Sequence, residues 1–147
     1  MPVRVLVALS ALWFLAMAGA GFWVLDGVAA LDARAFGYDP GQVRGFLAGL
    51  DASQTRFLLG PMRWMDTVFP PLFALTLWRL GLWPGLALLY LTLDWAENIV
   101  VAAILRGGVD KIDPGQVQTA SGLTTAKYAV LLGAVLVLVQ EAARWMK

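Results

Sequence analysis

The sequence predicts an all-α integral membrane protein, a four-transmembrane-helix bundle that forms a single membrane domain over residues 1–147. Hydrophobic residues make up 60% of the chain and charged residues only 14%, whereas soluble domains carry about 25% charged residues. Long apolar stretches also recur along the chain, and the connections between them carry proline, glycine and charged residues. This alternation is typical of a protein that crosses a bilayer several times.

Four stretches are long enough to cross a bilayer, which takes about 20 mostly apolar residues. They cover about residues 5–25, 61–80, 84–106 and 122–145. The first begins like a signal peptide, but its apolar run is too long for a cleaved leader, so we expect a retained helix. The connection "RLGLWPG" is very short, which makes the second and third spans an antiparallel hairpin.

A short amphipathic helical segment, about residues 40–58, is predicted between the first two spans, at the membrane surface or over the bundle. Asp39 before Pro40 is the expected N-cap, and "DASQ" at residues 51–54 is a second capping signal with glutamine at N3. The apolar residues of the first turns recur on one helix face: Val43, Phe46, Leu47 and Leu50.

The orientation follows from the charges around the first span. An even number of spans places both chain ends on one side of the membrane. Arg4 directly precedes the first span, and Asp26 and Asp32 follow it. Because the positive-inside rule gives the first helix most weight, we predict a multi-pass protein of the inner (plasma) membrane with cytoplasmic termini.

The residue inventory restricts the chemistry. The chain has no cysteine and no histidine, and its formal net charge is only +1 with no basic run. It therefore lacks the usual haem and zinc ligands and the surface that nucleic acids need. We predict no cofactor, no metal site and no nucleic-acid partner.

Polar residues interrupt the third span in "LTLDWAENIV", residues 91–100. Tyr90, Asp94, Glu97 and Asn98 recur at helical spacing and share one face. An ionised residue at the bilayer centre costs about 2.5–3.5 kcal/mol on insertion scales. This face is therefore expected to turn inward, towards polar partners.

Such partners are present on the second and fourth spans. Arg63 and Asp66 are three residues apart on the second span, and "LTTAKY" supplies three more polar side chains on the fourth. Together they predict a ligand-binding cluster of nine residues: Arg63, Asp66, Tyr90, Asp94, Glu97, Asn98, Thr124, Lys127 and Tyr128.

Two details of this cluster can be predicted. Pro70 and Pro71 have no N–H, so the backbone carbonyls of Asp66 and Thr67 should lack helical donors and face polar groups. One ammonium group compensates one carboxylate, so we expect Asp94 to be protonated and Lys127 to pair with Glu97 alone.

Four motifs in order, "GYDPGQVRGFLAGL", "RWMDTVFPPLF", "LDWAENIV" and "LTTAKY", resemble a family of small four-helix bacterial integral membrane proteins whose activity is uncharacterised. The shared pattern is an Asp before a Pro in span two, Asp-x-x-Glu-Asn in span three and a Lys in span four, within about residues 36–135. The resemblance implies a four-helix membrane fold and no particular activity.

Three functions fit these observations. The cluster would bind a small polar ligand, an ion, a proton or a lipid headgroup, or its carboxylates would act in an intramembrane enzyme on a lipid or isoprenoid. Alternatively, the cluster would fix helix register in a structural or assembly subunit. We take ligand binding as the prediction, with membrane lipids as the surrounding partners, and leave enzymatic activity and oligomeric state open.

Overall fold

The fold was analysed in a computed structural model that describes residues 1–145, with side chains for residues 1–137 and 140. All regular structure within these residues is helical. The α-helices are α1 (Val3–Val24), α2 (Pro40–Gly49), α3 (Ala52–Phe57), α4 (Arg63–Arg79), α5 (Pro84–Gly107) and α6 (Pro114–Trp145). Single 3-10 turns cover Leu31–Ala33 and Val109–Lys111, and a π-helical turn, Leu58–Met62, joins α3 to α4 without a break.

Three of the described helices are long and apolar enough to cross a membrane. They are α1, α5 and the part of α6 from Pro114 to Val137. The predicted all-α class and membrane character are confirmed at this level. Helix α4, the predicted second span, is not among the three, because it has 17 residues and carries Arg63, Asp66 and two prolines.

Helix α6 begins at Pro114, two turns before residue 122, where the predicted fourth span starts. The Asp113 carboxylate accepts a hydrogen bond of 2.8 Å from the Gly115 N–H, which caps the first turn. The early turns are polar on their outer side but bury Val117 and Ala120 completely. Because the exposed residues of these turns are polar, hydropathy places the start of the apolar span later than the start of the helix. The chain end at Lys147, which we predicted to be cytoplasmic, lies outside the described residues.

Both predicted capping signals start a helix. The Asp39 carboxylate accepts a hydrogen bond from the Gln42 N–H, and the Gln42 side chain accepts one from the Asp39 N–H, each 2.9 Å long. Asp51 and Gln54 form the same reciprocal box at the start of α3. The hydroxyl of Ser53 and the N–H groups that Asp51 caps hold the pKa of its exposed carboxyl below the usual value.

The helices pack in sequence order, with α1 against α4, α4 against α5, and α5 against α6. Two apolar clusters fill the interior. One lies at the end of the bundle that carries α2 and the longer loops, and the other lies at the turn between α4 and α5. On α5, residues 94–98 fall between the two clusters, so the polar residues form a layer inside an otherwise apolar core.

The loop between α1 and α2 folds onto the bundle. Leu31 and Tyr38 are buried, and the Tyr38 N–H donates a hydrogen bond of 2.9 Å to the Ser121 hydroxyl of α6. Gly37 has φ +83°, a conformation that favours glycine, and a Cβ added there would lie 2.6 Å from the Ser121 hydroxyl oxygen. The loop is therefore docked against α6, which the sequence did not predict.

This docking can be tested with two glycine substitutions. Gly37→Ala should lower the free energy of unfolding by roughly 1–3 kcal/mol, because alanine is strained at positive φ and its Cβ meets Ser121. The matched control is Gly45→Ala within α2, where no atom lies within 4 Å of the added Cβ. Unfolding in mild detergent should show the control unchanged or more stable by about 0.5–1 kcal/mol. Equal stability of the two variants would mean that the loop does not dock on α6.

Candidate functional site

The centre of the polar layer is an ammonium group between two carboxylates. Lys127 Nζ lies 3.0 Å from Asp94 Oδ1 and also forms an ion pair with Glu97 Oε2. All three side chains are buried, and Glu97 has no exposed surface. The expectation that Lys127 pairs with Glu97 alone is wrong. Asp94 and Glu97 are one helical turn apart, so an ammonium placed between them reaches both.

Thr124 completes the coordination of Glu97. Its hydroxyl donates to Glu97 Oε1 and also lies 3.0 Å from the backbone carbonyl of Ala120. The side chain is fully buried, so this hydroxyl has no water to bond with. Thr124 and Lys127 are three residues apart on α6, and together they bind both oxygens of one carboxylate on α5.

Asn98 connects this centre to α4. Its amide N–H₂ donates to the backbone carbonyl of Asp66 and to Asp94 Oδ2, each at 3.2 Å. Its own backbone carbonyl accepts a hydrogen bond of 2.8 Å from Arg63 Nη1. Asn98 therefore uses both its side chain and its backbone to join α4 to α5.

Two backbone carbonyls of α4 lack helical donors because Pro70 and Pro71 have no N–H, and both accept hydrogen bonds from side chains of α5. The Asp66 carbonyl accepts from Asn98, and the Thr67 carbonyl accepts a hydrogen bond of 3.1 Å from Trp95 Nε1. The prediction that both carbonyls face polar groups is confirmed. Trp95 was not predicted, because it lies on the outer side of α5 and resembles a lipid-facing residue.

A small cavity lies beside this network, at the end of the layer nearer the α1–α2 loop. Its volume is about 40 Å³, room for about three or four waters if each takes about 10–15 Å³. Its polar lining comes from Asp32, Arg63, Asp66 and Asn98, and apolar side chains form the rest. Within the described part of the chain, neither Asp32 nor Asp66 forms an ion pair.

Two residues of this region were missed by the sequence analysis, Asp32 and Tyr38. Both lie in the α1–α2 loop, where no helical periodicity relates them to the spans. Tyr38 is 7% exposed, and its hydroxyl has no hydrogen-bond partner among the described residues. The pKa of Tyr38 is raised to about 12, chiefly by burial and to a lesser extent by the nearby Glu97 carboxylate, while Thr124 opposes the shift.

The two predicted tyrosines border the network without joining it. Tyr90 is buried, with its ring edge-on to Phe73 at a centroid distance of 5.2 Å. The Tyr128 ring centroid lies 5.7 Å from Lys127 Nζ, a cation–π distance. In the described structure neither hydroxyl hydrogen-bonds to the charged groups. The other seven predicted residues contact one another or line the cavity.

The arrangement can hold charge, donate and accept hydrogen bonds, and take up protons. Among the described residues, no group of three or more acidic, histidine or cysteine side chains is placed to hold a metal ion. Comparison with protein-family models, with curated proteins and with solved structures gives no match to this chain. The function must therefore be argued from the geometry.

The central ion cluster predicts a large effect of removing its cation. Lys127→Met should lower the free energy of unfolding by roughly 3–5 kcal/mol, because it leaves two buried carboxylates without a cation. Adding Glu97→Gln should recover part of the loss, since the glutamine amide can donate to Thr124 while Thr124 donates to Ala120. Adding Asp94→Asn as well should recover more. Denaturant unfolding in detergent gives these differences.

The matched control for this series is Lys111→Met, which removes an exposed lysine outside the cluster. It should change the free energy of unfolding by less than about 0.5 kcal/mol. A neutral Lys127→Met would show that the ammonium group lies outside the buried layer.

Proposed function

We propose that this chain is a multi-pass integral membrane protein that binds a small polar ligand in its buried cluster, at the cavity beside Asp66. One observation carries the proposal. The carboxylates of Asp94 and Glu97 share Lys127, whereas Asp32 and Asp66 border a cavity that Arg63 also lines and form no ion pair in the described chain. Asp32 and Asp66 are both half-buried, and acids that are withdrawn from water for stability alone are normally paired. Acids that stay unpaired beside a cavity suit the uptake of a ligand.

The cavity volume limits the ligand. About 40 Å³ accommodates an ion or a few waters, which favours these over a whole lipid headgroup. A larger apolar space of about 300 Å³ lies between α4 and α5, lined by residues such as Pro71, Ala74 and Leu88. None of its lining residues is titratable, so this space offers a lipid substrate no catalytic group. The geometry favours ligand binding over the intramembrane enzyme.

The proposal includes four membrane crossings, by α1, α4, α5 and α6. Helix α4 packs between α1 and α5, and the turn before Pro84 makes it antiparallel to α5. Two neighbours that are both able to cross a bilayer support a crossing by α4 as well. On this topology α2 lies at the membrane surface, in the inner membrane, with both termini in the cytoplasm. The resemblance to the four-helix bacterial family agrees with this count.

Single cysteines can test the topology, because the natural chain has none. Cysteines at Gly41 and Gly115 should react with an impermeant maleimide in intact cells, since both positions lie on the outer side of the membrane. A cysteine at Lys147 should react only after permeabilisation. Labelling of the Gly41 and Lys147 positions from the same side would rule out four crossings.

Ligand binding can be separated from a structural role by the stability of Asp66→Asn. In an alkaline choline buffer, which supplies no small cation, this change should raise the free energy of unfolding by about 0.5–2 kcal/mol, because it removes a half-buried carboxylate that forms no ion pair. A carboxylate that holds the helices together would give the opposite sign. Unfolding in mild detergent measures the difference.

The control is Asp110→Asn, a change at an exposed acid in the 3-10 turn after α5, which should leave stability unchanged. Native mass spectrometry of the wild type adds a second measurement. A small molecule retained by the wild type and lost in Asp66→Asn would support the proposal. A stabilising role for Asp66, together with a co-purifying polypeptide, would indicate an assembly subunit instead.

A further inference from the structure

The apolar space between α4 and α5 is a groove that opens towards the outside of the bundle. Its floor is formed by two small buried residues, Ala74 and Ala87, and its rim by three larger exposed ones, Leu75, Trp78 and Leu88. The volume of about 300 Å³ is at the lower end of the range for small-molecule sites, about 300–1,000 Å³. The groove therefore has room for an apolar occupant that enters from the side.

The groove runs along the two helices, starting at the turn that joins them. Its lining extends from Trp78 back to Pro71 on α4 and from Pro84 to Leu91 on α5. At a rise of 1.5 Å per residue, this is about 10 Å along each helix axis. The hydrocarbon core of a bilayer is about 30 Å thick, so the groove lies within the depth of one leaflet. A lipid acyl chain has the same direction and a comparable depth.

The shape of the rim favours a flexible chain over a helix of a second copy. Helices that associate in membranes bring small residues to the contact, so that their backbones approach closely. Here the small residues, Ala74 and Ala87, lie on the floor, and the exposed rim carries Leu75, Trp78 and Leu88. A helix with its side chains is about 10–12 Å wide and would rest on this rim, whereas a single acyl chain can reach the floor.

A basic residue stands at the mouth of the groove. Arg79 directly follows Trp78 and lies one helical turn after Leu75, and both of these residues line the groove. The exposed Arg79 guanidinium donates a hydrogen bond of 3.2 Å to the backbone carbonyl of Met1. This contact brings the start of α1 to the same end of the bundle, and with it the exposed side chain of Arg4.

The segments of α1, α4 and α5 that form this end carry positive charge alone. Residues 1–25 and 67–93 contain two basic side chains, Arg4 and Arg79, and no acidic one. An exposed tryptophan, Trp83, lies in the turn between the two arms of the groove, as is typical of the membrane–water interface. Basic side chains beside a groove between membrane helices suit the headgroup of an anionic lipid.

From these observations we infer that the groove binds one acyl chain of an anionic phospholipid, whose headgroup contacts Arg79 and Arg4. The site shares no residue with the cavity beside Asp66 and lies at the other end of the bundle, so it goes beyond the proposed ligand binding. On the proposed topology this end faces the cytoplasm, whose leaflet supplies anionic lipids.

The test is native mass spectrometry of the full chain, delipidated in mild detergent and titrated with phosphatidylglycerol or with phosphatidylcholine of identical acyl chains. The wild type should bind phosphatidylglycerol at least about fivefold more tightly, the factor that one arginine contributes near an anionic lipid. Arg79→Gln should weaken phosphatidylglycerol binding about fivefold and change phosphatidylcholine binding much less. The matched control is Arg106→Gln, an exposed arginine at the other end of α5, which should behave like the wild type.

A second set of variants tests the groove itself. Ala74→Leu fills the floor, and Leu88→Trp narrows the mouth from an exposed position that tolerates substitution. Each should weaken the binding of both lipids by a similar factor, because both lipids lose the space for the acyl chain. Ala129→Leu, at an exposed position of α6, should bind like the wild type. Thermal unfolding identifies the folded variants, and Leu88→Trp decides if Ala74→Leu does not fold.

The inference is overturned if the wild type binds the two lipids equally, or if Arg79→Gln and Arg106→Gln bind phosphatidylglycerol alike. It is also overturned if the folded groove variants bind lipid as well as Ala129→Leu does. A dimer that dissociates in Leu88→Trp, without any lipid preference, would assign the groove to a second copy of the chain. None of these outcomes changes the test of Asp66, so the lipid site and the proposed function can fail separately.

Discussion

The buried contact of Lys127 with Asp94 and Glu97 is the interaction on which the rest of the structure depends. One amino group and two carboxyl groups lie in the interior of an otherwise apolar bundle, and removing the amino group would leave carboxylates that the surroundings cannot solvate. Because the carboxylates belong to α5 and the ammonium to α6, the contact fixes the rotation and the axial position of these two helices. The two apolar clusters then form above and below this layer.

Helix α4 is joined to this pair by a different device. Its two prolines leave two backbone carbonyls without donors, and an unsatisfied carbonyl is costly away from water. Asn98 and Trp95 of α5 supply the missing hydrogen bonds, and Arg63 returns one to α5. The two hydrogen bonds that the prolines remove within α4 are thus replaced by two hydrogen bonds between α4 and α5. This explains how a short helix with charged residues packs stably between two strongly apolar neighbours.

Local signals and periodicity predicted much of this arrangement. The caps at Asp39 and Asp51, the hairpin, the inward face of α5 and the released carbonyls all follow from residues close together in sequence. The predicted span at about residues 122–145 covers only the apolar part of α6, because the helix begins at Asp113 and Pro114 within a polar stretch. Asp32 and Tyr38 were missed for a stronger reason, since the path of a loop depends on tertiary contacts such as the bond from Tyr38 to Ser121.

The buried layer therefore has two parts with different electrostatic states. In the first part, the Asp94 and Glu97 carboxylates of α5 both contact the Lys127 ammonium of α6, and these contacts hold the two helices in place. Around the cavity, Arg63 lines the wall together with Asp32 of the loop and Asp66 of α4, but neither acid forms an ion pair within the described chain. A group that is already satisfied has little to gain from a ligand, whereas an unpaired acid gains most from one. The two parts therefore differ in role: the contacts of Lys127 fix α5 against α6, whereas the two acids at the cavity take no part in an ion pair that holds helices together.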